Sequence, residues 1–384
     1  MTRRETLIAR SVVYAILFTR DDGRPTHRPS LLERFLRLFH IYWLTFGLVE
    51  PELFNTLRGV WEIKEDDYRA SFGGANASDG GSGGGKKKLK DRDLLQPMGD
   101  MGYSGSTFFR TRDSAYLIKS IPRSCEHDFF KNNMLIPYTD HLRENPSSLL
   151  VRITDFMESR HKSIGLLLGL APSHHIVMEN ILYGQDQEPE GGPKPQWESW
   201  DLKPTSYFYP ERDVAGGVLA SEATKSKLAD EFYDKILLTE AQAAEFKQLL
   251  EKDTKLLADC NAVDYSLFLV RVTTADAPYA DMQPTLQLGE VDSQLTPPAQ
   301  PPFTPPTPPN WRTGVVSSDG KEIYRAAVLD FFWAKHTIHA KAMTGLIKGY
   351  NLIDEQGPMS ITTGSKEYRE RFLKMCMGIV EVQM

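Results

Sequence analysis

NAVDYSLFLVRV, residues 261–272, and IYRAAVLDFF, residues 323–332, are the two stretches from which the fold is read. Each holds an apolar, β-branched run of strand length, with Asp264 where the first run starts and Asp330 where the second stops. If the two strands pair antiparallel, the start of one lies beside the finish of the other, and both carboxylates fall at one end of the hairpin. Such a pair suits a hard cation and can polarise a hydroxyl. Aspartates also cap strands and fill turns, so the spacing alone leaves both readings open.

Upstream of this pair, TEAQAAEFKQLLEKDTKLLADC (239–260) predicts a helix opened by a capping box, Thr239 with Gln242, and an apolar side of Phe246, Leu249, Leu250 and Leu257. A last helix is predicted around YRERFLKMCMGIVEV (368–382). Further upstream, STFFRT (106–111), a turn at 112–114 and AYLIKSI (115–121) predict a hairpin, and HHIVMENIL (174–182) a buried strand. His174 and His175 have no Cys or carboxylate at ligand spacing and are read as loop residues ahead of that strand. SLLERFLRLFHIYWLTFGL (30–48) is broken by Arg34, Arg37 and His40, lacks the roughly 20 apolar residues of a membrane span, and reads as an amphipathic helix.

A chain of 384 residues with 41% hydrophobic and 25% charged residues is globular and long enough for two lobes. A net charge of -6 offers no general attraction to nucleic acid, so any anionic partner must meet a local basic patch. Cys125, Cys260 and Cys376 have no metal spacing and point to a reducing compartment. The apolar run in MTRRETLIARSVVYAILFTRDD is followed by charge, not a cleavage site, so a cytoplasmic or nuclear location is expected. Residues 73–93, Gly/Ser-rich and then basic, 295–309, Pro-rich, and 185–196, rich in Gly, Pro and Glu, are predicted to be surface inserts.

Two further clusters could carry chemistry. Gly102-Tyr103-Ser104-Gly105-Ser106 precedes the hairpin that holds Lys119. Backbone near glycine can approach phosphate closely, although an isolated Gly-x-x-Gly is as readily a turn. Lys119 lies in an apolar run, where an ammonium needs an anionic partner; Glu126 and Asp128 are both within reach in sequence. Asp201-Leu202-Lys203 in WDLKPTSYFYPERD is the other cluster.

In this order the motifs resemble the phosphatidylinositol phosphate kinases through most of the chain outside the inserts. FNTLRGVWEIKEDDYRASF (54–72), with Asp66, Asp67 and Tyr68, is similar to the family's segment leading to the phosphate loop. GYSGSTFFRTRDSAYLIKSI is similar to its glycine loop and nucleotide-binding lysine. ENPSSLLVRITDF and IVMENIL look like the strands leading to the adenine hinge; WDLKPTSYF, DYSLF and VLDFF look like its Asp-Leu-Lys, Asp-Tyr-Ser-Leu and metal-binding motifs.

The resemblance implies an α+β, two-lobed kinase-like fold of the SAICAR synthase-like type, with antiparallel sheets and flanking helices. It divides the chain into an N-terminal helical region at 1–72, an insert at 73–93, a nucleotide lobe at 94–184 and a catalytic lobe at 185–384 with a Pro-rich insert at 275–310. It implies ATP and Mg2+ as cofactors and transfer of the γ-phosphate to an inositol-ring hydroxyl at a phosphoinositide membrane surface. No nucleic acid is implied, and dimerisation is left open. By the same resemblance Gly102, Ser104, Gly105, Ser106, Lys119, Met178, Asn180 and Leu182 would hold ATP. Lys203 and Asp264 would be catalytic, Asp330 would bind metal, and Lys335, His336 and Lys341 would touch lipid.

Two features depart from the family pattern. Pro204 stands where a glycine usually follows Asp-Leu-Lys, which fixes φ and removes an N–H. WAKHTIHAKAM (333–343) is shorter than the family's activation segment, with Lys335 and His336 in place of paired lysines. These departures keep two alternatives in view: a catalytically weak adaptor that binds nucleotide or phosphoinositide, and a kinase of soluble inositol phosphates.

Because Gly-rich and Pro-rich segments bury little surface, deleting residues 75–90 and 297–307 should leave the melting temperature within about 3 °C of the parent. Loss of soluble expression would show that one of them packs.

Overall fold

The computed structural model describes residues 1–18, 42, 44–73, 95–98, 106–161, 163–168, 170–187, 194–204, 232–273, 310–334 and 363–383. The chain divides into two compact units, Met1–Pro146 with Val151–Asn180, and Ser147–Leu150 with Ile181–Met384. Of the Gly/Ser-rich stretch 73–93 only Gly73 is described, and the Pro-rich stretch 295–309 lies wholly outside the described residues.

The first unit opens with α1 (Arg3–Leu17), whose capping box joins Glu5 N to Thr2 Oγ1 at 3.3 Å and Thr2 N to Glu5 Oε2 at 2.6 Å. Ile8, Val12 and Ile16 recur on its buried side at helical spacing. In chain order there follow β1 (Phe46–Leu48), α2 (Pro51–Val60), α3 (Glu65–Gly73), β2 (Gln96–Pro97), β3 (Phe108–Arg110), β4 (Tyr116–Ile121) and α4 (Ser124–Phe129). A π turn then leads to α5 (Leu135–Glu144), β5 (Ile153–Ser159), the short α6 (Ile164–Leu167) and β6 (His174–Glu179). Six strands form one antiparallel sheet in the order β1-β5-β6-β4-β3-β2.

Two expectations are corrected in this sheet. The end of the stretch read as an amphipathic helix, Phe46-Gly47-Leu48, is a strand, because its backbone pairs with the edge of β5, Phe46 opposite Ser159 and Leu48 opposite Met157. Most of the remainder of that stretch lies outside the described residues. His174 and His175 are not loop residues but the first two of β6, opposite Glu158 and Met157 of β5 and Ile121 and Ser120 of β4. Strand alternation turns His175 inward, where it is fully buried and meets the Phe46 ring edge-on at 4.8 Å.

A bulge between Ile153 and Asp155 interrupts the pairing of β5 with β6. Bulges re-aim side chains, and here Asp155 accepts the Tyr68 hydroxyl at 2.6 Å and lies 3.2 Å from Arg58 Nη1. Arg58 also donates to Thr154 O at 2.6 Å and lies over the Tyr68 ring. This buried set ties α2 and α3, the FNTLRGVWEIKEDDYRASF segment, to the sheet. Burial holds the Asp155 carboxyl above its ordinary range despite the arginine beside it.

The second unit contains β7 (Gln196–Leu202), β8 (Ile236–Leu238), α7 (Glu240–Asp259), β9 (Ala262–Val263), β10 (Ser266–Thr273), β11 (Val315–Val316), β12 (Glu322–Leu329), β13 (Trp333–Ala334), α8 (Ser365–Gly378) and β14 (Val380–Val382). Its main sheet is antiparallel in the order β11-β12-β10-β7; β13 pairs with β9 antiparallel and β14 with β8 parallel. The final helix therefore stops at Gly378, and VEV, read as its continuation, is a strand fixed by pairing with β8. The predicted capping box at Thr239 and Gln242 opens α7; Phe246, Leu250 and Leu257 are buried, while Leu249 is half-buried. Asp253 on α7 accepts Ser148 Oγ at 2.7 Å and Leu149 N at 2.6 Å, and Arg312 Nη2 donates to Ser148 O and Leu150 O at 2.5 Å each. These bonds fix Ser147–Leu150 in the second unit.

Burial lowers the pKa of both His174 and His175 to about 3, helped at His174 by the neighbouring His127, His175 and Lys131. The unfolded chain takes up these protons near the ordinary value of about 6.5, and the folded chain only near 3. Their stabilising effect is thus complete above about pH 6.5 and is lost as pH falls toward 3, at up to about 1.4 kcal/mol per pH unit for each histidine. Urea denaturation between pH 7 and 4 should show this decline, and His175→Phe should make it shallower. An equally steep decline in the variant would show that His175 is not its source.

Candidate active site

Three strand ends meet at one edge of the main sheet of the second unit. β10 begins opposite the finish of β12, Ser266 facing Leu329, and opposite the finish of β7, Leu267 facing Leu202. Asp264 stands just before β10, Asp330 just after β12, and Lys203 just after β7. Lys203 Nζ lies 3.2 Å from Asp264 Oδ2, with both side chains mostly buried.

A second ladder brackets the two aspartates from the other side, because β9 pairs with β13, Val263 facing Trp333. Between the two ladders, residues 264–265 on one strand face 330–332 on the other. This one-residue mismatch coincides with left-handed backbone at both aspartates, φ 67° at Asp264 and φ 62° at Asp330. A left-handed backbone costs a side-chain-bearing residue energy and persists where surrounding contacts impose it, a pattern associated with functional sites. The chain between is anchored: Tyr265 is buried against Tyr368 and Phe372 of α8, with ring centroids 4.7 and 4.8 Å away, and the Tyr368 hydroxyl donates to Tyr265 O at 2.5 Å.

The first unit holds most of the described residues predicted to bind nucleotide. Lys119 is buried in β4, opposite Phe108 on one side and Ile176 on the other, its ammonium 5.5 Å from the Phe108 ring centroid. Ser106 is buried ahead of β3. Of the two acids weighed for Lys119, Asp128 faces His127 at 3.0 Å, and Glu126 lies 3.0 Å from Arg123; both Glu126 and Lys119 make further contacts. Met178 is buried in β6. Asn180 fastens the end of that strand to the preceding turn, donating from its side chain to Ser114 O at 2.7 Å and from its backbone to Ala115 O at 3.0 Å. Leu182 lies past the boundary, packed on the core of the second unit. Gly102, Ser104, Gly105, Lys335, His336 and Lys341 lie outside the described residues.

One residue with a positioning role escaped the sequence reading. Arg325, fully buried in β12, donates to Ile181 O at 3.0 Å, Tyr183 O at 2.7 Å and Thr313 O at 3.2 Å, which fixes the carbonyls on both sides of Leu182. Its signal was present as an arginine inside the apolar run IYRAAVL. Burial lowers its guanidinium to about 10, still protonated at neutral pH.

The donor chemistry fits magnesium. Asp264 and Asp330 supply carboxylate oxygens, and Mg2+ is typically held by one or two carboxylates together with substrate phosphates. Among the described residues no group of three or more His, Cys, Asp or Glu converges on a metal position.

Residues 89–379 match the sequence model of a family described as Phosphatidylinositol-4-phosphate 5-Kinase. The chain is 26% identical over 231 residues to a Dictyostelium discoideum protein named "Probable phosphatidylinositol phosphate kinase", covering 57% of this chain and 26% of that protein. It is 30% identical over 103 residues to a Plasmodium falciparum protein named phosphatidylinositol 4-phosphate 5-kinase, covering 27% of this chain and 6% of that one. A Schizosaccharomyces pombe protein with the same descriptive name is 27% identical over 140 residues, covering 36% and 16%. The matched region thus spans about a quarter or less of these relatives.

Tyr368→Phe keeps the rings on Tyr265 and removes one hydrogen bond to the segment beside Asp264. Stability should fall by about 1 to 2 kcal/mol in urea denaturation, the cost of an unsatisfied buried carbonyl. No change would mean that ring packing alone holds the segment.

Proposed function

Because this chain belongs to the phosphatidylinositol-4-phosphate 5-kinase family, we propose that it transfers the γ-phosphate of ATP to an inositol-ring hydroxyl of a phosphoinositide. The observation that carries this reading is the set of three strand ends in the second unit, where Lys203 and Asp264 form an ion pair and Asp330 stands at the same edge. Phosphoryl transfer needs positioned phosphates, neutralised charge and an oriented nucleophile more than covalent chemistry from the protein, and these residue types supply those needs.

In the proposed reaction Asp264 accepts a hydrogen bond from the attacking hydroxyl and orients it. Lys203 holds Asp264 in place through their ion pair and offers its ammonium to phosphate oxygens. Lys119, buried in β4, offers its ammonium to ATP phosphate. Asp330 would hold magnesium, which when bound neutralises developing charge on the phosphates. The lipid contact through Lys335, His336 and Lys341 is proposed from sequence alone. No helix among the described residues is long and apolar enough to cross a membrane; a peripheral mode of lipid access is the mode proposed.

Purified protein incubated with labelled ATP, a panel of phosphoinositide vesicles and the corresponding soluble inositol phosphates tests the reading. Turnover on vesicles is expected, and turnover of neither substrate would favour the adaptor. Asp330→Asn should lower magnesium-dependent turnover by about 10³-fold while leaving the melting temperature near the parent's, since the amide is nearly isosteric. Asp264→Asn should remove lipid phosphorylation and leave nucleotide binding measurable. Loss of folding in both would make them structural aspartates.

A further inference from the structure

Between Ser159 and His174 the chain leaves the sheet of the first unit as RHKSIGLLLGLAPS, residues 160–173. The described part of this loop is fixed by its own hydrogen bonds. Ser163 Oγ accepts Leu166 N at 3.3 Å to cap α6, and Gly165 O receives Leu170 N at 2.8 Å and Ala171 N at 3.2 Å. Its root is fixed as well: Arg160 N donates to Thr45 O at 2.9 Å, and the Arg160 guanidinium lies so close over Gly47 that a Cβ there would overlap it.

The tip turns aliphatic side chains outward. Ile164, Leu167, Leu168 and Leu170 are 40%, 70%, 64% and 42% exposed. Of the ten large hydrophobic residues exposed in the described structure, four fall in these seven positions, so the exposed apolar surface is concentrated here. A loop held by hydrogen bonds that presents such a cluster to water marks an interaction surface.

The chemistry of the cluster selects the partner. Arg160 and His161, both exposed, precede it, and the sequence has no acidic residue between Glu158 and Glu179. A basic root under an aliphatic tip complements an anionic bilayer, whose headgroups meet the cations while the aliphatic side chains enter the acyl boundary. Protein interfaces draw their anchoring energy mainly from Trp, Tyr and Arg, and the tip has no aromatic residue. The loop also lies at a consistent place in the sheet. His174 pairs with Ile121 at the end of β4, and Ser120 of the same strand bonds Thr107, the residue before β3. The loop therefore joins the sheet at the end where β3 begins.

We propose that the loop 160–170 is a membrane-insertion anchor that seats the first unit on an anionic bilayer through Ile164, Leu167, Leu168 and Leu170. This deepens the lipid-kinase reading and rests on it, but the anchor is measured without turnover. Co-sedimentation with phosphatidylcholine/phosphatidylserine vesicles free of phosphoinositide compares the parent with Leu167→Ser/Leu168→Ser. Binding should fall about tenfold or more, because each leucine loses its apolar burial. The parent's binding should also weaken with salt as the basic root is screened. Equal vesicle affinity in parent and double variant overturns the proposal. Leu168→Trp gives a second readout that needs no loss of binding: lipids brominated in their acyl chains should quench its added emission, and emission unquenched relative to the parent overturns the proposal too. Turnover of a water-soluble short-chain phosphoinositide separates the two readings. Its absence in the parent, with the binding difference intact, would sink the kinase reading and leave the anchor standing.

Discussion

The register of β10 against β12 is the constraint on which the proposed chemistry depends, since it puts Asp264 and Asp330 at the same edge. In a sheet with one solvated face, alternation of apolar and polar residues would set that register. Here it cannot, because β12 is buried at nearly every position, so solvent exposure sets neither of its faces apart. Polar contacts and a second ladder do the choosing. At the far end Arg271 of β10 bonds Glu198 directly across on β7 at 2.7 Å, and reaches Glu322 of β12 at 3.3 Å and Asp234 at 2.7 Å. At the near end β9 and β13 pair beyond the two aspartates. A slip would break both fastenings at once.

Buried arginines perform a related task elsewhere in each unit. Arg325 joins three carbonyls, and Arg58 joins a carbonyl, a carboxylate and an aromatic face. Arg152, lowered by burial to about 9, remains charged at neutral pH and lies over the Trp61 ring. A planar guanidinium presents five donors in a fixed fork, so it can satisfy several irregular backbone acceptors from one position. Removing such a group would leave carbonyls buried and unsatisfied at about 1 to 3 kcal/mol each. These residues shape loops and inter-element joints more than they raise net stability, since desolvation offsets much of the electrostatic gain.

What the sequence made legible follows the same physics. The hairpin holding Lys119, the capped helix at Thr239 and the two long strands are local patterns, and all four are present in the structure. The strand at Phe46–Leu48 and the strand at Val380–Val382 were read as helix because each owes its form to a partner far away in sequence, β5 and β8. His175 was misread for a similar reason. A histidine suits a loop on polarity grounds, but as a neutral ring it packs on Phe46 like any apolar residue. In the site, residue types and order were legible, whereas the left-handed backbone at both aspartates and the support from Tyr368 arise only from tertiary pairing.

Pro204 bears on the proposed reaction through the same edge. β7 is the outer strand of its sheet, and its last paired residue is Leu202, so a proline two positions later removes no ladder hydrogen bond and stops the strand from extending. A proline also biases the residue before it toward extended backbone, which narrows the directions open to Lys203. Lys203 in turn lies 3.2 Å from Asp264. Where the family's glycine would offer a backbone N–H to phosphate, this chain has none to offer at that position, and the nearest cationic donor is the lysine whose backbone the proline constrains. In the proposed reaction the duty of meeting phosphate at this position would therefore fall to the Lys203 side chain, and the Lys203–Asp264 pair would carry more of it than in a relative with glycine.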